Sequence, residues 1–171
     1  EKDFEPIALI GNLPMVIAAN PSFAPTNIRE LIAAAKAKPD SINVALTSTT
    51  ARVVFELLRQ SGGAPLFGVP YRGSGPATTD VLGGQLPLTI DTVTAMRPQV
   101  TSGKLRALAI TSLATSELLP GVPSVAEQGL PGFEITAWNA LFAPRGTPVA
   151  ILNALNAEVL KSLAQAETRQ R

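Results

Sequence analysis

The sequence predicts an α/β fold built on a mostly parallel, doubly wound sheet. Three observations predict it. Through the middle of the chain, short apolar runs alternate four times with stretches of helical period, the rhythm of βαβ units. Gly or Pro punctuates the junctions between them. Finally, residues 69–91, VPYRGSGPATTDVLGGQLPLTID, contain a complete strand, turn, helix and second strand within 23 positions.

The elements follow in order. Ile7–Ile10 and Met15–Ala19 read as two short strands, parted by Gly11, Asn12 and Pro14. A helix starts at about Thr26, with Ile28, Leu31, Ile32 and Ala35 at helical spacing and Lys36 and Lys38 suiting its negative end. Pro39-Asp40 turns the chain into a strand over Ile42–Leu46. The hydroxyl run Thr47, Ser48, Thr49, Thr50 precedes a helix that places Val53, Val54, Leu57 and Leu58 inward and stops at Gly62-Gly63. Leu66, Val69 and Tyr71 supply β-formers, and Pro70 marks the end of ladder pairing. Gly73, Ser74 and Gly75 form a tight turn, Ser74 or Gly75 caps the next helix, and Pro76 suits its first position. Gly83-Gly84 permits a left-handed exit into the strand that ends at Asp91.

Thr92–Thr101 reads as a helix kinked near Pro98, and Leu105–Ile110 as a strand. From Ser112 the stretch LLPGVPSVAEQGLPG reads as a connector with one short helix around Ser124–Gln128. Phe133–Ala137 and Asn139–Ala143 are strand-like. Thr147-Pro148 starts a last amphipathic helix striped by Leu152, Leu155, Val159 and Leu163.

Composition excludes several functions. Hydrophobic residues make up 46% and charged residues 16%, so the chain is globular rather than disordered. Fourteen basic residues against thirteen acidic leave no basic stripe for nucleic acid. No apolar run approaches a bilayer span. Cysteine and histidine are both absent, which removes thiol nucleophiles, Ser-His-Asp triads and the common metal ligands. No pair of carboxylates suggests acid–base chemistry, so no catalytic residue, metal or cofactor is expected.

What remains is binding. A helix N-terminus at the mouth of a parallel strand carries free NH groups and a positive dipole end, which suit an anion. Thr47, Ser48, Thr49 and Thr50 can cradle a carboxylate, or simply cap their helix. Tyr71, Gly73 and Ser74 can bind through the turn's backbone, or serve only to make it; Arg72 reads as a solvated loop cation. Asp91 and Thr92 sit where open α/β sheets place ligand groups, and Asp91 can equally cap the next helix. A ligand-facing Asp91 would repel a second carboxylate and favour an ammonium or hydroxyl. Trp138 reads as a core residue rather than a stacking platform. The Gly73-x-Gly75 pair fits neither a P-loop nor a dinucleotide fingerprint.

Several motifs together resemble the Bug family of periplasmic solute-binding proteins, the receptors of tripartite tricarboxylate transporters. They are Val69-Pro70-Tyr71, Gly75-Pro76-Ala77, Leu82-Gly83-Gly84-Gln85, Gly103-Lys104-Leu105-Arg106-Ala107-Leu108-Ala109, Val122-Pro123-Ser124-Val125-Ala126-Glu127, Gly129-Leu130-Pro131-Gly132 and Leu141-Phe142-Ala143-Pro144. Lys2-Asp3-Phe4, Pro6 and Glu30-Leu31-Ile32 agree as well, so the resemblance runs along nearly the whole chain.

The resemblance implies a type II periplasmic-binding-protein fold, with the mostly parallel sheet of the second lobe plus part of the first. It places residues 1–15 in the first lobe or hinge, 16–111 in the second lobe, and 112–171 in the hinge and partial first lobe. It implies a periplasmic receptor with a small carboxylate ligand and membrane transporter subunits as partners. Two departures stand out: Arg52 occupies a position where the family usually carries His, and Pro87 replaces a usual acidic residue. A ligand-sensing effector domain of a regulator shares this fold and is the alternative. The opening EKDFEP and closing TRQR lead us to expect a fragment, with apolar faces that favour self-association.

Overall fold

A computed structural model describes residues 2–169. The elements are β1 (Phe4–Ala19), α1 (Ile28–Ala37), β2 (Asn43–Leu46), α2 (Thr49–Gly62), β3 (Phe67–Pro70), α3 (Ser74–Leu82), β4 (Leu88–Thr92), α4 (Val93–Thr101), β5 (Arg106–Ile110), β6 (Thr136–Pro144), α5 (Val149–Leu163) and α6 (Ala166–Arg169). The chain divides into two compact units, Leu13–Ala137 and the pair Glu1–Asn12 with Trp138–Arg171.

The larger unit is the doubly wound sheet. Strand order is β3-β2-β4-β1-β5. β2 pairs in parallel with both β3 and β4, and β1 runs antiparallel to both β4 and β5. Four of these five strands therefore point the same way, with β1 reversed among them. Alternation along each strand feeds two cores. Ile17, Val44, Leu46, Leu88 and Ile90 face a cluster with Ile28 and Leu31 of α1 and Val54, Phe55 and Leu58 of α2. Val16, Ala18, Ala45 and Ile110 face the other, against Ala77 and Val81 of α3 and Val93 and Met96 of α4. The hydrophobic effect thus holds a helical layer on each face.

Local sequence explains the helix ends. Asn27 caps α1 by accepting from the Glu30 NH, while the Glu30 carboxylate accepts from the Thr26 NH at 2.7 Å and its hydroxyl at 2.9 Å. The Thr26 NH is the main reason that the Glu30 carboxyl lies below its usual range. α2 ends at Gly63, which takes the left-handed conformation with φ 57°.

Several elements differ from the sequence expectation. β1 is one strand, not two, because Pro14 precedes the pairing that begins at Met15 and so removes no bond from those ladders. The inward face of α2 is Ala51, Val54, Phe55 and Leu58, while Val53 lies outward, half exposed. α3 starts two residues early, capped by Gly73, with Pro76 inside its first turn; Gly83 is right-handed and the positive φ falls on Gly84. Ser124–Gln128 forms turns rather than a helix, and strand structure begins at Thr136 rather than Phe133.

The stretch read as a connector is firmly packed. Leu119, Val125 and Phe133 are buried, and the Ile110 carbonyl accepts from the Val125 NH at 2.9 Å. Gln128 ties this stretch to two elements at once. Its Oε1 accepts from the Ile28 NH at 2.7 Å, and its Nε2 donates to the Leu108 carbonyl at 2.9 Å. The Ile28 NH is one of the donors that a helix start leaves without an internal partner.

In the smaller unit, Arg145 binds the Lys2 and Asp3 carbonyls, and Asn156 Nδ2 donates to the Ile7 carbonyl at 2.6 Å. No residue of α5 is buried. Trp138 is 60% exposed, against the expectation of a core tryptophan, and its ring lies 6.3 Å from that of Phe142. Too few side chains surround it within this unit to cover an indole.

Replacing Gln128 by Leu strands two buried backbone groups. Equilibrium urea unfolding is expected to show a loss of about 2–5 kcal/mol. A change below about 0.5 kcal/mol, the size of an ordinary surface substitution, would contradict this account of the network.

Candidate functional site

All nine sequence-predicted positions lie at one edge of the sheet. Leu46 pairs with Pro70 of β3 and with Ile90 of β4, so β2 and β3 finish at one level and β4 runs two residues further, its Asp91 and Thr92 still paired with β1. Thr47–Thr50 and Tyr71–Ser74 follow directly from the ends of β2 and β3, and Asp91–Thr92 are the last two residues of β4. Each strand feeds a helix, so the N-termini of α2, α3 and α4 meet at this edge and present unpaired NH groups with positive partial charge.

The three helix starts are built differently. Ser48 caps α2, its Oγ accepting from the Ala51 NH at 3.1 Å. Thr92 caps α4, its Oγ1 accepting from the Ala95 NH at 3.3 Å. Gly73 begins α3 at φ 105° and supplies no side-chain cap. A Cβ built at Gly73 or Gly75 would meet nothing within 4 Å, so open space surrounds this start. The glycine at 73 is required by its φ, and the missing cap leaves the Ser74 and Gly75 amides with no side-chain acceptor.

Within this edge the residues divide. Ser48, Thr49 and Tyr71 line one small cleft of about 290 Å³, together with Leu46, Arg52 and Pro70. Thr50 is half-buried beside it in the first turn of α2. Thr47 is buried, and its hydroxyl donates to the Ile90 carbonyl at 3.1 Å, bridging β2 to β4. Asp91 is 3% exposed. Its Oδ1 accepts from the Thr92 NH at 2.7 Å, while Oδ2 has no partner among the described residues. The cleft walls include neither these two residues nor Gly73, Ser74 and Thr92. Arg72 is exposed.

Arg52 was not among the sequence-predicted contacts. The signal was available: it stands four residues after Ser48, on the same face of α2, and its NH donates to the Ser48 carbonyl at 3.1 Å. Helical side chains lean toward the N-terminus, which carries the guanidinium back toward the cap.

Tyr71 packs as a wall whose hydroxyl donates to Asp80 Oδ2 at 2.5 Å. That bond, followed by desolvation and the Asp80 charge, pushes the phenol up to about 12. No group of three or more potential metal-binding side chains occurs among the described residues.

Comparison with known proteins decides the family. The profile described as "Tripartite tricarboxylate transporter family receptor" matches residues 1–170. The chain belongs to this receptor family. A UPF0065 protein of Pseudomonas sp., encoded in the tcbD-tcbE intergenic region, is 38% identical over 96% of this chain and 50% of its own length. Rpa4515 of R. palustris, solved with adipate, superposes with a TM-score of 0.91 at 32% identity, over 97% of this chain and 56% of that one. MatC of Rhodopseudomonas palustris, solved with bound malate, gives 0.89 at 34% identity, over 98% and 57%. The chain spans about half the length of the curated relatives it matches. Its fold is that of the Bug-type periplasmic binding proteins, as the motifs implied, and the family is one of receptors rather than enzymes.

The Tyr71–Asp80 bond has a pH consequence. Folding raises the phenol's pKa above its ordinary value of 10, so the bond's contribution to stability is complete below pH 10. It is lost as pH climbs through about 12. Tyr71 is the only tyrosine in the chain, so phenolate absorbance reads it alone. A folded-state midpoint near 12 is expected, returning toward 10 in Asp80→Asn; a wild-type midpoint near 10 would contradict the geometry.

Proposed function

We propose that this chain supplies the second-lobe part of a periplasmic solute receptor, which captures a small carboxylate metabolite for a tripartite tricarboxylate transporter. The observation that carries the reading is the meeting of three strand–helix junctions at one sheet edge, one of them an uncapped helix start in open space. A carboxylate there is held by backbone NH groups and hydroxyls, its charge offset by helix dipoles. Ser48, Thr49 and Tyr71 form the cleft wall; Gly73 and Ser74 offer amides; Thr47, Thr50, Asp91 and Thr92, whose NH is taken by Asp91, hold the edge in shape and complete the ligand surroundings.

Family membership and the adipate- and malate-bound neighbours support a carboxylate ligand. The proposed lobe, residues 16–111, falls within the compact unit Leu13–Ala137. The hinge assignment for residues 1–15 and 112–171 belongs to the same proposal, and so does closure of a facing lobe over the edge. Membrane subunits of the transporter are the partners in this reading. No helix among the described residues is long and apolar enough to cross a membrane.

Isothermal titration of the full-length receptor with adipate, malate and citrate tests the proposal. Saturable binding of at least one is expected, weakened about threefold to tenfold by Thr49→Val, the loss of one neutral hydrogen bond. Absence of heat and of thermal stabilisation with every carboxylate would refute it.

A further inference from the structure

Arg52 is the one cation lining the cleft. The acids around it are engaged elsewhere. Glu56, one turn further along α2, pairs with Arg59 at 3.4 Å. Asp80 takes the Tyr71 hydroxyl. Asp91 is buried, receives the Thr92 NH, and is absent from the cleft's walls. Arg52 itself has no carboxylate partner among the described residues. The result is an uncompensated guanidinium in a cleft whose other polar groups are the neutral side chains of Ser48, Thr49 and Tyr71.

That composition discriminates between anions. A single carboxylate can be satisfied by the Ser48 and Thr49 hydroxyls and the amides of the α2 start. A second carboxylate finds nothing neutral of comparable strength, but the planar fork of Arg52 matches it in two parallel bonds. The repulsion that Asp91 would exert from a cleft-facing position is absent here, because its carboxylate lies in the sheet and not in this wall. A cleft of about 290 Å³ is of metabolite size.

We infer that Arg52 is the specificity-determining residue that makes this site select dicarboxylates over monocarboxylates of the same chain length, by pairing with the second carboxylate. The inference rests on the receptor reading above and goes beyond it by naming the residue that pairs with the second carboxylate. It also separates this chain from any relative that carries a neutral side chain at the same position.

The test compares matched pairs on the full-length receptor: adipate with hexanoate, succinate with butyrate, malate with 2-hydroxybutyrate. Wild type is expected to favour the dicarboxylate of the best-bound pair by about tenfold or more, the scale of one charge-assisted pair. Arg52→Gln keeps a polar amide side chain and removes the charge. It is expected to abolish most of that preference by weakening the dicarboxylate, with the monocarboxylate changed by less than about threefold. Arg52→Lys keeps the charge without the fork and should retain part of the preference. Added salt should weaken dicarboxylate binding in wild type more than in Arg52→Gln. Equal dicarboxylate preference in wild type and Arg52→Gln overturns the role of Arg52 while leaving the receptor reading intact. Failure of wild type to bind any of the six compounds overturns the role of Arg52, and failure with citrate as well overturns both.

Discussion

The structure depends on one alignment: β2, β3 and β4 run in parallel and in register, with their C-terminal ends on the same side of the sheet. Leu46 stands opposite both Pro70 and Ile90, and the hydrogen-bond ladders fix that register. Because a parallel neighbour must be reached by a crossover, each strand end becomes a helix start on the same side of the sheet. Shared direction turns three local junctions into one edge lined with orphan amides. Burial on both faces locks the alignment, since a slip of one residue would turn Leu46 and Ile90 from one core into the other.

That edge is asymmetric in its own supply of acceptors. α2 and α4 satisfy a first-turn amide with Ser48 and Thr92, whereas α3 leaves its start open at Gly73. Asp91 adds a buried carboxylate with one oxygen engaged by the Thr92 NH and the other unpartnered among the described residues. Its position at the start of α4 offsets part of the desolvation cost through the helix dipole. The Asp91 side chain is thus accommodated within the sheet, while among the described residues the cleft beside it has Arg52 as its charged side chain.

Much of this was readable from residues alone. The strand and helix alternation from Ile42 to Ile110 was clear because Gly63, Gly84 and Pro70 mark ends that the backbone requires. The nine site positions could be placed on one edge because strand ends in parallel sheets gather ligand groups. What could not be read depended on tertiary packing. Gly11 and Pro14 look like breaks in β1, yet Pro14 lies just before the Met15 pairing, where a missing NH costs the ladders nothing. Thr47 and Asp91 look equivalent to Ser48 and Thr49 in a sequence, but the hydroxyl bond of Thr47 to the Ile90 carbonyl and the pairing of Asp91 with Val16 draw them into the sheet. Arg52 stood out in the sequence as a departure from the family, but its place in the cleft wall depends on β3 bringing Pro70 and Tyr71 beside the start of α2. Trp138 was misplaced because aromatic content predicts burial only when neighbours exist to cover it.

The central claim is that the edge formed by these three junctions is the surface that meets the anion. Amide chemical shifts of the ¹⁵N-labelled full-length receptor, followed during titration with adipate, address it directly. The account predicts that the largest shifts fall together on Ser48–Thr50, Gly73–Gly75 and Thr92–Val93. Shifts concentrated instead at the opposite ends of the strands, around Asp40–Ile42 and Gly63–Leu66, would contradict it.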